Sequence, residues 1–344
     1  MLVMISSSST NLYKADVIRV LAYPQNTTIQ FRYDSKWIEK QSDINLNEDV
    51  LICYLDAMDY SFIPIRLSKI QSFEKIGKLF FIKLRLLNYP DIKNIGGEDN
   101  LLGRKKELLN SKQNQNGKFV ITIDSPSVIT NPTAQDQAWF DIVDRVSNCN
   151  DMKNVDFFYR IFPLKDKSNR EVEFDSNEEL YLLSSDNHYC FKILSYHPNK
   201  RETGTIRIDE TFMSDVSSSE IQIDSRYDLS DLSIKTEMSY YTDKYGYYRI
   251  SCKLYDDFEI RNTFRFKIKS NIVIKIVTII IFAVILTLIH SLFDEKAGIF
   301  DISITLEYAL LSALIVFVGQ ILHFLEYIQN LFIKCYKRIF KKHP

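Results

Sequence analysis

Two apolar runs dominate the C-terminal end of the sequence. Ile272 to Phe293 is apolar apart from Lys275, Thr278, Thr287, His290 and Ser291. A helix of about 22 residues rises roughly 33 Å, the thickness of a bilayer core. A polar linker with Asp294, Glu295, Lys296, Gly298 and Asp301 separates it from a second run, Ile302 to about Phe324. The pattern predicts a two-helix transmembrane hairpin.

The two runs differ in how their polar positions fall. The first is rich in Ile, Leu and Val on all sides, as expected of a lipid-facing helix. The second carries a stripe. At about 100° per residue, Thr305, Ala309, Ser312, Val316, Gly319, Gln320, His323, Tyr327, Asn330 and Lys334 share one face. Leu310, Leu314, Phe317, Ile321, Leu325 and Phe332 share the other. Polar groups at membrane depth normally face protein or water. Three readings stay open. The stripe lines a pore at the axis of an oligomer, or its small and polar residues pack helix against helix, or it marks a surface-lying amphipathic helix. Two spans cannot enclose a pore alone, so the first reading requires self-association. On it, Thr305, Ser312, Val316, Gly319, Gln320, His323, Tyr327 and Asn330 line the path.

The preceding 268 residues read as mainly β. Short β-branched or aromatic runs at Val17–Tyr23, Thr27–Tyr33, Val50–Leu55, Phe62–Leu67, Lys78–Leu87 and Lys118–Ile123 predict strands of a small barrel or sandwich over 1–130. Asn94–Asn116 reads as a long loop and Ser125–Thr133 as a linker. Ala134–Ser147 fits a helix with Trp139, Ile142, Val143 and Val146 on one side. Runs at Asp156–Phe162, Glu179–Leu183, Tyr189–Ser195, Gly204–Ile208, Ser219–Ile223, Leu232–Glu237, Tyr247–Tyr255 and Asn262–Ile268 predict a second, sandwich-like domain over 131–268. The hairpin and a cytoplasmic helical extension fill 269–344.

Charge sharpens this division. Residues 1–118 hold 17 Lys/Arg against 13 Asp/Glu, and 261–344 hold 11 against 5, which leaves a strongly acidic middle in a chain of net charge -1. Arg261, Arg265, Lys267 and Lys269 precede the first span; Lys334, Lys337, Arg338, Lys341 and Lys342 follow the second. Positive flanks stay inside, so both termini and the large domain are expected in the cytoplasm, with only the linker outside. Met1–Tyr13 has neither the basic start nor the apolar core of a signal peptide. The five cysteines are widely spaced, without a C-x-x-C pair. They read as free thiols rather than a zinc site or disulfide framework.

Catalytic constellations do not emerge. There is no phosphate-binding glycine loop, no nucleophile elbow and no kinase set. His188 and Cys190 read as neighbours on one strand, not a catalytic pair. An enzyme is disfavoured, and no cofactor or metal is expected. Binding fits better. Arg32, Lys36 and Trp37, followed by Arg66, Lys83 and Arg85, join positive charge to aromatic rings in the first domain. In the strand around Phe81, Lys83 and Arg85 share a face. Such faces take anionic ligands, nucleotides or single strands by stacking and phosphate contact; a solvated charged face is the competing reading.

The layout of a cytosolic β-rich region followed by a two-helix unit with a polar stripe resembles the membrane effectors of bacterial anti-phage systems. Among these it is most similar to the channel effectors of Hailong defence. The resemblance rests on layout over the whole chain, not on matched residues. It implies a homotetrameric channel in the bacterial inner membrane, held shut by single-stranded DNA oligomers from a partner nucleotidyltransferase. A cyclic nucleotide or a phage protein remains open as the ligand. The expected function is a ligand-gated ion channel that depolarises the infected cell, with a non-conducting membrane-anchored scaffold as the alternative.

Overall fold

The computed structural model describes residues 2–7, 11–38, 44–56, 62–92, 119–122, 135–153, 155, 157–175, 177–197, 204–210, 213–216, 220–223, 227–237, 239, 243–255 and 258–270. These residues are β-rich, with two α-helices among them. No helix among them is long and apolar enough to cross a membrane. The expected hairpin, and with it Thr305, Ser312, Val316, Gly319, Gln320, His323, Tyr327 and Asn330, lies outside the described residues, as do the expected loop at 94–116 and the linker at 125–133.

The chain begins with β1 (Leu2–Ser7), α1 (Asn11–Ala22), β2 (Thr28–Asp34), β3 (Asp49–Leu55), β4 (Phe62–Ile76), β5 (Leu79–Leu86) and β6 (Phe119–Thr122). The strands form one sheet in the order β2-β5-β4-β3-β1-β6. β1 and β3 run parallel, and the other neighbours are antiparallel. A parallel pair needs a crossover rather than a tight turn. Among the described residues the sheet ends at β2 and β6 without closing on itself, where the strand spacing predicts a small barrel or sandwich. The β4–β5 hairpin turns on Gly77-Lys78, with Gly77 at φ 60. A glycine of positive φ at the first of two turn residues suits the twist of the flanking strands.

Val17–Tyr23, expected as a strand, lies largely in α1. Ala15, Val17, Ile18, Val20, Leu21 and Ala22 are all buried, and the less buried stripe of Leu12, Asp16 and Arg19 leaves only Arg19 as a polar residue within Val17–Tyr23. It packs against β1 and β4.

The next elements are α2 (Gln135–Ser147), β7 (Phe158–Ile161), β8 (Lys165–Asp166), β9 (Phe174–Asp175), β10 (Leu180–Ser184), β11 (His188–Tyr196), β12 (Gly204–Glu210), β13 (Met213–Val216), β14 (Glu220–Ile223), β15 (Tyr227–Thr236), β16 (Lys244–Tyr255) and β17 (Phe258–Lys269). One sheet has the order β14-β12-β16-β17-β10-β9; the other runs β13-β15-β11-β7, with β8 beside β11. They face each other across an aromatic core. Phe191 of β11 stacks on Tyr248 of β16 at 5.4 Å and meets Phe264 of β17 at 5.3 Å. Tyr181 of β10 closes the cluster 6.4 Å from Phe191.

The chain separates into two compact units. Of the described residues, the first holds those within Met1–Leu182, Asn187–Lys235 and Gly246–Phe266; the second holds those within Leu183–Asp186 and Thr236–Tyr245, together with 267–270. The second unit has polar ties of its own. Thr236 donates to the Ser184 carbonyl at 2.7 Å, and the Ser239 amide donates to Ser185 Oγ at 2.7 Å. Glu237 and Lys244 form a buried ion pair at 3.6 Å. Asp243 takes hydrogen bonds from the Ser270 amide at 2.9 Å and Ser270 Oγ at 3.0 Å, and Lys267 approaches it at 3.6 Å.

Candidate functional site

The alternation of β2 and β5 builds one basic face. In β2, Ile29, Phe31 and Tyr33 are buried, while Gln30 and Arg32 are exposed. In β5, Phe80, Ile82, Leu84 and Leu86 are buried, while Phe81, Lys83 and Arg85 are half-buried on the other side. The register sets Arg32 opposite Phe81, Gln30 opposite Lys83 and Thr28 opposite Arg85. Lys69 of β4 stands on the far side of Arg85 and pairs with Asp49 at 3.0 Å. Two cations, Lys83 and Arg85, thus flank an aromatic ring and an exposed arginine on adjacent strands. That chemistry suits a flat, anionic ligand.

One acidic side chain already engages this face. Glu179 Oε1 lies 2.7 Å from Lys83 Nζ. Glu179 has φ 56, a left-handed conformation uncommon for a residue with a side chain. It closes the turn entering β10, and the backbone is held there while the carboxylate meets Lys83.

The other expected binding residues fall elsewhere. Lys36 and Trp37 sit in the short 3-10 turn after β2, where Asp34 accepts from the Lys36 amide at 3.1 Å. Lys36 is exposed, 4.9 Å above the Trp37 ring. Trp37 is partly buried at the edge of the apolar cluster that includes Val3, Leu51 and Leu67, so its ring contributes to packing rather than standing free to stack on a ligand. Arg66 is 1% exposed, inside the protein. Its Nε donates to the Leu87 carbonyl at 2.6 Å, and its guanidinium lies 3.8 Å from the Tyr89 ring centre. Burial, countered in part by Tyr89, lowers its proton affinity, and nearby Arg160 lowers it further. The structure thus brings Arg32, Lys83 and Arg85 together and removes Arg66 from that surface.

Cys53, Cys149 and Cys190 carry free thiols. Burial pushes the Cys53 thiol well up and raises that of Cys190, where Asp231 adds to the effect. A raised thiol is a poor nucleophile at neutral pH. His188 is exposed, and its amide takes a local bond to Asn187 Oδ1 at 3.0 Å. Among the described residues no His, Cys, Asp or Glu cluster is arranged to hold a metal ion. No protein-family model matches the chain, and no curated protein matches it.

Proposed function

We propose that the chain is an oligomeric membrane effector whose C-terminal hairpin forms a ligand-gated ion path, controlled by the β-rich region on the cytoplasmic side. The polar stripe of the second apolar run carries this reading: Gln320 and His323 fall on one face of a segment otherwise fit for lipid, and Asn330 continues that face beyond it. The end of β17 adds support. Asp243 grips Ser270, two residues before the first apolar run begins, so the strand leads into that run without a slack linker. A tight junction of this kind transmits a shift of the strand to whatever follows.

The basic face of Arg32, Lys83 and Arg85 is the proposed sensor surface, for a nucleotide or oligonucleotide. By the resemblance in layout, the reading extends to a tetramer in the bacterial inner membrane, shut by DNA oligomers from a partner nucleotidyltransferase and opened during phage infection.

The test replaces Gln320, His323 and Asn330 together with Leu in the full chain. Conductance in planar bilayers and depolarisation of expressing cells are expected to vanish, while the oligomer in detergent persists. Undiminished conductance by the folded triple variant, or a monomeric wild type, sinks the channel reading. The second reading, a non-conducting scaffold, predicts instead that an unrelated transmembrane hairpin can replace residues 270–344 with function retained.

A further inference from the structure

We propose that Arg66 and Arg160, stacked beside Tyr89, form a binding site for a compact tetrahedral oxyanion of the phosphate or sulfate kind. The site lies on the opposite face of the first sheet from Lys83 and Arg85, and the proposal stands independently of the channel reading. Parity along β4 and the register to β5 fix the two faces: Lys69 pairs with Arg85, whereas Arg66 belongs to the alternate set.

The argument starts from an imbalance of charge. A guanidinium stays protonated inside a protein, and a buried charge needs either a counterion or a full set of hydrogen bonds. Arg66 has neither. Its Nε is met by the Leu87 carbonyl, but Nη1 is buried with no hydrogen-bond partner. No carboxylate among the described residues lies within ion-pair distance of it. The Tyr89 ring offers one face to the cation, which offsets only part of the lost hydration. A second guanidinium stands close by. Arg160 lies 5.0 Å from the same ring centre and 4.6 Å from that of Phe162. It is close enough to depress the proton affinity of Arg66. Two arginines thus share one tyrosine, and the carboxylate beside them, Asp136, bonds Arg160 alone, at 2.5 Å.

The walls are fixed. Tyr89 Oη donates to the Leu21 carbonyl at 2.7 Å, and its amide donates to Gln135 Oε1 at 2.7 Å, so the ring cannot turn away. The approach is from the α2 side. The Arg160 side chain is 13% exposed and that of Asp136 60% exposed. An incoming oxyanion meets Arg160 first, exchanges with the Asp136 carboxylate, and offers its remaining oxygens to Arg66. A tetrahedral anion presents several acceptors to two forked donors at once, which a carboxylate with two coplanar oxygens does less well.

The experiment is isothermal titration of the detergent-purified full chain with sodium phosphate, sodium sulfate and sodium acetate at matched ionic strength. Saturable binding of phosphate or sulfate is expected, at least tenfold tighter than acetate. Arg160→Gln should weaken it tenfold or more, and Asp136→Asn should tighten it severalfold by removing the competing carboxylate. Asp136 lies toward solvent and Arg160 at the rim of the buried region, and both variants keep Arg66 in place. Absence of saturable binding in the wild type overturns the proposal. So does binding that both variants leave unchanged, which would place the anion elsewhere, and so does acetate binding as tightly as phosphate.

Discussion

Trp139 Nε1 donates to the carbonyl oxygen of Leu21 at 3.1 Å, tying α2 to the last turn of α1. The last carbonyls of a helix have no partner within it and must find one elsewhere. Leu21 sits one residue before the end of α1, and Tyr89 Oη reaches the same oxygen at 2.7 Å. One buried acceptor is thus shared by two aromatic donors. Tyr89→Phe should cost about 1 kcal/mol, since Trp139 still satisfies the oxygen, and Trp139→Phe should cost more, because the smaller ring also leaves a void at a fully buried position. The double variant leaves it bare, adding about 1–3 kcal/mol beyond the sum. Denaturant unfolding of the three variants measures this. A strictly additive result would show that water reaches the carbonyl.

That knot of contacts also explains what the sequence reveals and what it hides. β17 is legible because Asn262, Phe264, Phe266 and Ile268 point inward between exposed Arg261, Thr263 and Arg265. α2 is legible because Trp139, Ile142, Val143 and Val146 make one apolar stripe and all four are buried. α1 is not. Val17, Ile18 and Val20 are β-branched, and Leu12 and Asp16, which show the helical period with Arg19, precede the apolar run, so the run by itself reads as a strand. The basic face was readable from the parity of Phe81, Lys83 and Arg85. Arg66 was not, because β4 alternates poorly there: Arg66 and Ser68 are buried together with Leu67. What hides Arg66 is Tyr89, a tertiary contact that no local pattern encodes.

Asp166 gives a pH dependence with a definite sign. Its Oδ1 accepts from the amides of Arg170 at 3.0 Å and Ser168 at 2.8 Å, and its Oδ2 accepts from Arg170 Nη2 at 3.1 Å. These bonds, led by the Arg170 amide, hold the carboxyl below its usual value. A depressed carboxyl stabilises the fold above the unfolded value, near 3.9, and the benefit is lost as pH falls through the folded value. The Asp166–Arg170 turn should therefore keep its amide protection at pH 5 and lose it progressively as pH falls below about 4, completely only below the lowered folded value. Hydrogen exchange across that pH range reads it, with Asp166→Asn losing protection at every pH. Protection that stays equal from pH 6 down to pH 1, or that Asp166→Asn leaves unchanged, would rule the mechanism out.

Lys83 and Glu179 are each about one-third exposed, at 37% and 33% by side chain, so their pair adds little to stability, about 0–1 kcal/mol. Its effect should lie in binding. Glu179→Gln removes the carboxylate that occupies Lys83 and should raise affinity for a short single-stranded oligonucleotide severalfold, with a steeper salt dependence. Arg32→Ala and Arg85→Ala should lower it. Fluorescence anisotropy of the full chain over a salt series distinguishes these outcomes. If Glu179→Gln binds no better while the arginine variants bind less, the face is right and the competition is wrong.

Asp243 offers the sharpest test of the junction between β17 and the apolar tail. Its carboxylate holds both the amide and the hydroxyl of Ser270, while Lys267 lies 3.6 Å away and within 5.3 Å of the Tyr245 ring. Each hydrogen bond to a charged acceptor contributes about 1.5–3 kcal/mol when well formed, less at an exposed site. Asp243→Ala removes both bonds at the last residue before the tail and leaves the strands of either sheet untouched. If the cytoplasmic region controls the ion path through this junction, the variant should keep its oligomeric state and single-channel conductance while its open probability stops responding to ligand. Ser270→Ala, which removes only the hydroxyl bond, should give a weaker version of the same change. A variant that gates normally would show that control passes by another route, and a variant that fails to assemble would make the contact part of the oligomer's framework instead.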